Sequence, residues 1–320
     1  MPLDFETSTL PWVDRDDFLP QLDERTRQGE LSPETAERLR HFSAHGYVAF
    51  PGLLGAEGAD ALVAEHDRAW QDSWPIQALV EGIGVADLES LPAKDALGTH
   101  HYRLNDIQDA SETARRAMMT PEIIEFLGLL FADTPVAMQS LFFEYGSEQG
   151  THQDFPYVQS RILSHLVGCW MACEDVHADN GPLFYYPGSH RLAKFDWGGG
   201  SLTFDGKDQA QVETFGKYLE ERCDAAGLER LTFEAKKGDV FLWHAALVHG
   251  GSPANDPSAT RKSLVVHYSS RTAYPQDRRY DEVPRLYRRN GGLIYQRAVQ
   301  SPMARLKSKI KSGAKRLLGR

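Results

Sequence analysis

The chain has 320 residues, 41% of them hydrophobic and 25% charged, which excludes collagen-like repeats and a disordered polymer. A net charge of −10 hides an asymmetry: residues 271–320 hold 14 Lys and Arg against 3 Asp and Glu, and the acidic body before them excludes a general nucleic-acid binder. No window approaches 18 uncharged apolar residues, and the acidic start MPLDFETSTLPWVDRDDF lacks the apolar stretch of a secretory signal, so the expected location is the cytoplasm. Cys169, Cys173 and Cys223 are too few and too widely spaced for a disulfide framework or a zinc knuckle, and read as buried thiols.

The first 135 residues read as mainly helical. Ser32-Pro33 is a cap followed by proline at the first helical position, Ala36, Leu39 and Phe42 recur at helical spacing, and Gly46 is placed to end that helix. Residues 47–50 read as a short strand and 56–70 as a second helix. Thr120-Pro121 repeats the cap signal before Ile123, Ile124, Leu127 and Leu130. From Val136 the texture changes to short β-rich runs separated by Gly, Pro, Asn and Asp. Strands are expected near 136–145, 162–173, 183–186, 231–235, 239–244 and 263–269. An insertion, 191–230, carries the run WGGGS and a helix near 208–226. The expected fold is mainly β with flanking helices: one domain over 1–302, with a jelly-roll or cupin-like β core at 136–270, N-terminal helices packed on it, and a basic tail, 303–320.

Three features of the β region converge. His152-Gln153-Asp154 follows a strand, and residues i and i+2 of extended chain face one side, so both side chains reach one metal. His249 stands in Val248-His249-Gly250-Gly251, at the end of a strand starting near Asp239. Two histidines and one carboxylate make the facial triad of non-haem iron(II) oxygenases, which leaves positions open for a co-substrate and O₂. Arg261 opens a further strand, with Ser263, Val265 and His267 on its face, and a guanidinium beside a hydroxyl suits a distal carboxylate. A second H-x-D, His177-Ala178-Asp179, sits in the turn DVHADNGP and reads as loop.

These motifs are part of a longer pattern over roughly residues 35–270. Phe42-Ser43-Ala44-His45-Gly46-Tyr47-Val48, Gln149-Gly150-Thr151-His152-Gln153-Asp154 and Trp170-Met171-Ala172-Cys173-Glu174-Asp175 come first. Asn180-Gly181-Pro182-Leu183, Pro187-Gly188-Ser189-His190, Lys237-Gly238-Asp239-Val240, His249-Gly250-Gly251-Ser252 and Thr260-Arg261-Lys262-Ser263 follow. In this order they resemble the phytanoyl-CoA dioxygenase family of Fe(II)/2-oxoglutarate oxygenases. The resemblance implies a double-stranded β-helix in which His152, Asp154 and His249 hold iron and Arg261 pairs with the distal carboxylate of 2-oxoglutarate. It implies oxidative decarboxylation of that co-substrate to succinate and CO₂, with hydroxylation of a small organic substrate. Related halogenases carry a small residue where Asp154 stands, so the carboxylate points to hydroxylation or a related oxidation. By the same resemblance Gln139, Ser263 and Thr151 are co-substrate candidates.

Substrate candidates at the mouth of the barrel are Phe155, Tyr157, Tyr185, the Phe195–Trp197 loop, and the run Thr99-His100-His101-Tyr102-Arg103, in which His101 and Arg103 suit an anionic group. His267 and His244 read as structural, His244 on the face opposite the metal. The basic tail reads as solvated, with weak contact to an anionic membrane as the alternative. Two other functions stay open: a cupin-like metalloenzyme that does not use 2-oxoglutarate, and a non-catalytic binding protein on the same fold. No sequence feature demands a CoA thioester, because no basic cluster near the motifs forms a nucleotide-phosphate clamp.

Overall fold

Ser32 accepts a hydrogen bond from the Thr35 amide with proline at the next position, so helix α2 (Pro33–His45) begins where its sequence signal lies. Gly46 ends it at φ 78°, and a Cβ there would come within 2.5 Å of His190 Nδ1, so the turn needs glycine both for conformation and for space. The structure, a computed structural model, describes residues 3–97, 101–275 and 285–296.

Helix α1 (Phe18–Arg27) precedes α2, and strand β1 (Tyr47–Phe50) and helix α3 (Gly55–Gln71) follow it. The N-terminal part then departs from the helical expectation. It holds three more strands, β2 (Gln77–Val80), β3 (Gly84–Asp87) and β4 (Tyr102–Asn105). Each has four residues, so each face shows only two side chains, too few for an alternation to register. Helices α4 (Glu112–Met118) and α5 (Pro121–Phe131) complete this part. Thr120 does not cap α5; its hydroxyl donates to the Ala117 carbonyl instead.

The β region follows the expected order: β5 (Pro135–Phe143), β6 (Leu166–Ala172), β7 (Leu183–Tyr185), helix α6 (Ala210–Ala225), β8 (Leu231–Phe233), β9 (Val240–His244), β10 (His249–Gly251) and β11 (Ser263–Ser270). Two further strands, β12 (Arg285–Arg289) and β13 (Gly292–Gln296), form a hairpin beyond the expected core, and β13 runs parallel to β5. Among the described residues the large sheet runs β1-β9-β6-β11-β5-β4-β2-β3, and a small sheet runs β10-β7-β8. The fold is a double-stranded β-helix with helices against its large sheet.

One correction concerns His249. It does not end the strand that begins near Asp239. That strand, β9, stops at His244, the chain crosses between sheets, and His249 opens β10 in the small sheet.

Register divides the large sheet into two faces. Phe142, Leu264, Val266, Tyr268, Cys169, Met171 and Leu242 point to the helices and are packed with Leu39, Phe42, Leu62 and Ile124. Burying each such side chain contributes about 1.5–3 kcal/mol. The alternate residues face the small sheet. Gln139 lies opposite His267, Leu141 opposite Val265 and Phe143 opposite Ser263, and Val265 and His267 lie opposite Trp170 and Gly168 on the other side. Polar side chains on this inward face are the material of the site.

Candidate active site

His152 and His249 are held together by the backbone before any metal is considered. The two residues form an isolated antiparallel bridge, with His152 N to His249 O at 2.9 Å and His249 N to His152 O at 3.0 Å. Each ring is oriented by a carbonyl: His152 Nδ1 bonds Gly150 O at 2.8 Å and His249 Nδ1 bonds Leu247 O at 2.9 Å. With Nδ1 carrying the proton, each Nε2 presents a lone pair to the cavity. Asp154 Oδ1 lies 3.5 Å from His152 Nε2 and 3.7 Å from His249 Nε2. The three side chains are buried, and one ligand atom from each lies within 4.8 Å of the others.

Burial opposes the charge on Asp154, yet His249, His152 and His267 around it hold its carboxyl well below the usual range. Burial also lowers His249 to about 4, which keeps it the neutral imidazole that a metal needs.

Two further side chains reach Asp154, one of which, Trp243, carries no signal in the sequence. Trp243 Nε1 donates to Asp154 Oδ2 at 2.7 Å. Its ring lies across Gly168, where a Cβ would come within 2.1 Å of it. His267 Nε2 stands 3.4 Å from the same oxygen, an ion-pair distance without hydrogen-bond geometry, and its Nδ1 meets Gln139 Nε2 at 3.2 Å. His267 therefore faces the site, where the sequence had suggested a purely structural place. Alternation along β11 from Arg261 and Ser263 was the signal that located it.

Arg261 is buried beside the triad, with Nη1 donating to Gly181 O at 2.5 Å and the guanidinium 5.9 Å from the Trp170 ring. Burial lowers it to about 10 against the nearby Glu174 and Glu148, so it stays charged at neutral pH. Arg261 Nε, Ser263 Oγ and Trp170 Nε1 are all buried without a hydrogen-bond partner. Native proteins rarely leave such groups unpaired, and Arg261 and Trp170 line the cavity at the triad, where a polar ligand would pair them. A cavity of about 70 Å³ joins Arg261, Trp170 and His267 to the three candidate ligands. The donor set suits iron(II), and the unpaired donors suit the carboxylates of 2-oxoglutarate.

The remaining candidates separate. His101 and Arg103 line an outer cavity of about 680 Å³ walled by β2, β3, β4 and residues 146–149. Thr99 and His100 lie outside the described residues. Phe155, Tyr157, Tyr185 and Trp197 line neither cavity. Phe155 packs edge-on to Phe5, Tyr185 meets Tyr47 and Phe241, and Tyr157 and Trp197 join Phe195, Phe204 and Phe215 under α6. Their aromatic surface is used in packing clusters and not in the walls of these two cavities. Thr151 is also spoken for, its hydroxyl donating to Glu220 of α6 at 2.5 Å. His244 bonds Asp14 at 3.0 Å away from the triad; it ends β9, so its offset from His249, on another strand, does not decide its face. His190 is buried against Gly46 and bonds Ser43 O at 3.1 Å. His177 and Asp179 form an exposed turn, as expected.

Comparison with known proteins follows the same lines. The family described as Phytanoyl-CoA dioxygenase (PhyH) matches residues 42–263. A Danio rerio protein, phytanoyl-CoA dioxygenase domain-containing protein 1, is 28% identical over 277 residues, covering 73% of this chain and 89% of its own. Among solved structures, the epimerase SnoN in complex with Fe3+, alpha ketoglutarate and nogalamycin RO aligns at TM-score 0.54 and 21% identity over 76% of this chain and 86% of that one. EctD from S. alaskensis with 2-oxoglutarate and 5-hydroxyectoine aligns at TM-score 0.53 and 16% identity over 76% and 77%. Fold, triad and family match together define an iron- and 2-oxoglutarate-dependent oxygenase. The chain belongs to the phytanoyl-CoA dioxygenase family.

Proposed function

We propose that this oxygenase hydroxylates a C–H bond of a small organic metabolite, with His152, Asp154 and His249 holding iron and Arg261 holding 2-oxoglutarate. The observation that carries the reading is the buried triad with a carboxylate at Asp154, beside an arginine whose Nε has no partner. With iron(II), 2-oxoglutarate and O₂ bound, such a site supplies oxidative decarboxylation to succinate and CO₂ together with attack on a C–H bond. This chain's residues do the rest. The Gly150 and Leu247 carbonyls aim the imidazoles, and Trp243 fixes Asp154 Oδ2. Ser263 offers a hydroxyl to the co-substrate, Gln139 acts on the site through His267, and Thr151 drops out of the co-substrate set because Glu220 holds it.

SnoN holds nogalamycin RO and EctD holds 5-hydroxyectoine on related folds, which supports a small-molecule substrate here. The reading includes a cytoplasmic location, supported by three buried cysteines that are all free thiols. No helix among the described residues is long and apolar enough to cross a membrane. It also includes a single oxygenase domain over 1–302, acting on no nucleic acid. The basic tail, 303–320, lies outside the described residues.

The test is anaerobic. Iron(II) and then 2-oxoglutarate are added to metal-free protein, and the visible charge-transfer band of the chelate is recorded. The band should form in wild type and weaken in Asp154→Ala and in Arg261→Ala. Bound iron without any band would turn the assignment to a metalloenzyme that does not use 2-oxoglutarate.

A further inference from the structure

The hairpin β12–β13 lies at the end of β5 away from the site. β13 joins β5 at Val136 and Ala137, whereas Phe143, which lines both cavities, is six residues further along the strand, about 20 Å away. β12 pairs with β13 and, among the described residues, with no other strand, so one of its edges is open. Four of its five residues are exposed, and three of these are Arg285, Arg288 and Arg289. The fourth is Leu286, an apolar side chain 40% exposed to water.

The charge of this strand is not neutralised. Arg285, Arg288 and Arg289 pair with no carboxylate among the described residues. Glu112, which accepts the Tyr287 hydroxyl of β12 at 3.2 Å, is already held by Arg115 at 3.0 Å and Arg116 at 3.1 Å. The positive charge continues in sequence. The chain leaves β13 at Gln296, directly opposite Arg285, and the basic tail begins seven residues on, within a reach of about 25 Å. Residues 303–320 hold seven Lys and Arg and no acid, with Leu306, Ile310, Leu317 and Leu318 between them. Residues 271–320 carry 14 cations against 3 anions, or +11, so the net −10 leaves −21 on the body before them. An anionic surface therefore attracts one end of the molecule and repels the rest.

We propose that β12, with the basic tail that follows it, docks this protein on an anionic lipid surface. Each arginine near acidic headgroups strengthens binding about fivefold, and a leucine beside it enters the apolar boundary below them. A soluble polyanion offers the charge without the apolar layer that suits Leu286 and the apolar residues of the tail. Two basic elements of one chain that reach the same plane reinforce each other, because the second binds at a high effective concentration. The contact lies at the far end of β5 from the cavities, so it leaves the site unobstructed.

The experiment sediments the full chain with vesicles of phosphatidylcholine, alone or mixed in equal parts with phosphatidylglycerol. Binding should be confined to the mixed vesicles and should fall steeply as salt is raised. Arg285→Gln, Arg288→Gln and Arg289→Gln together should weaken it by at least about tenfold, and Leu286→Ser by about 2- to 5-fold. Circular dichroism and melting temperature should stay at wild-type values in both variants, since all four side chains face water. Lys307→Gln, Lys309→Gln and Lys311→Gln should weaken binding independently, and the two sets combined should remove it. Equal sedimentation with both vesicles, or with neither, overturns the proposal and leaves the arginines as charges that keep an open strand edge from pairing. Unchanged binding in the β12 arginine variant overturns it by placing the contact in the tail alone. Binding to duplex DNA as tight as to the mixed vesicles, with no loss in Leu286→Ser, overturns it by assigning the surface to a polyanion.

Discussion

Trp243 donates its indole N–H to the Oδ2 of Asp154 at 2.7 Å, leaving Oδ1 turned toward His152 and His249. The bond depends on a residue one strand away. Gly168 of β6 lies opposite Trp243 of β9, and only the missing side chain lets the indole lie flat across the sheet.

Trp243→Phe keeps the ring and removes the donor. Its iron(II) affinity should fall by about 10- to 100-fold, the range for losing a partner that orients a metal ligand. Gly168→Ala should fall in the same direction from the other side of the contact, because its Cβ displaces the indole. Iron(II) titration of the two variants checks both, with circular dichroism confirming the fold. Wild-type affinity in Trp243→Phe would show that Asp154 needs no such support.

His152→Ala and His249→Ala should abolish iron-dependent succinate formation and the chelate band. Each removes a ligand, and each leaves the backbone bridge between positions 152 and 249 free to form, since that bridge uses main-chain atoms alone. Near-native melting temperatures beside lost metal binding are the expected pair of results.

Arg261→Ala should raise the 2-oxoglutarate concentration for half-maximal turnover by about 10- to 100-fold, the loss expected when a charge-assisted pair is removed. The iron(II) titration should change little, because Arg261 is not among the three clustered ligands. Unchanged co-substrate dependence would assign the distal carboxylate to another residue.

Acid stability should report on His190. Burial lowers it to about 3, with His244 and Arg191 acting in the same direction and Asp14 and the Ser43 carbonyl opposing. A histidine neutral when folded takes up its proton more readily when unfolded, so the stability it contributes is full above pH about 6.5 and is lost as pH falls toward 3. One such group accounts for a slope of at most about 1.4 kcal/mol per pH unit. Urea unfolding between pH 4 and 8 should show stability declining through this window, with a shallower decline in His190→Gln.

What the sequence determined by itself is local or closely spaced. The start of α2 at Ser32-Pro33 and its end at Gly46 depend on neighbours within one turn, where backbone chemistry decides. His152 and Asp154 are two residues apart, so extended chain alone puts both on one side. The order of β runs from 136 to 270, with the family motifs along them, sufficed for the double-stranded β-helix.

What only the tertiary structure decided depends on strand register. Strands of four residues, β2 to β4, carry too little pattern to be seen, yet they bring Arg103 into line with Phe143 and Ser263. Trp243 reaches Asp154 across 89 residues through a gap at Gly168 that no local rule announces. The aromatic residues at 155, 157, 185 and 197 are candidates for substrate by type, but an aromatic ring in sequence does not say which neighbours it packs against, and only Tyr185 of the four is on a strand. Packing took them into apolar clusters, because burying a large ring stabilises the fold wherever a face is free of water, and left the polar inward face of β4, β5 and β11 to the chemistry.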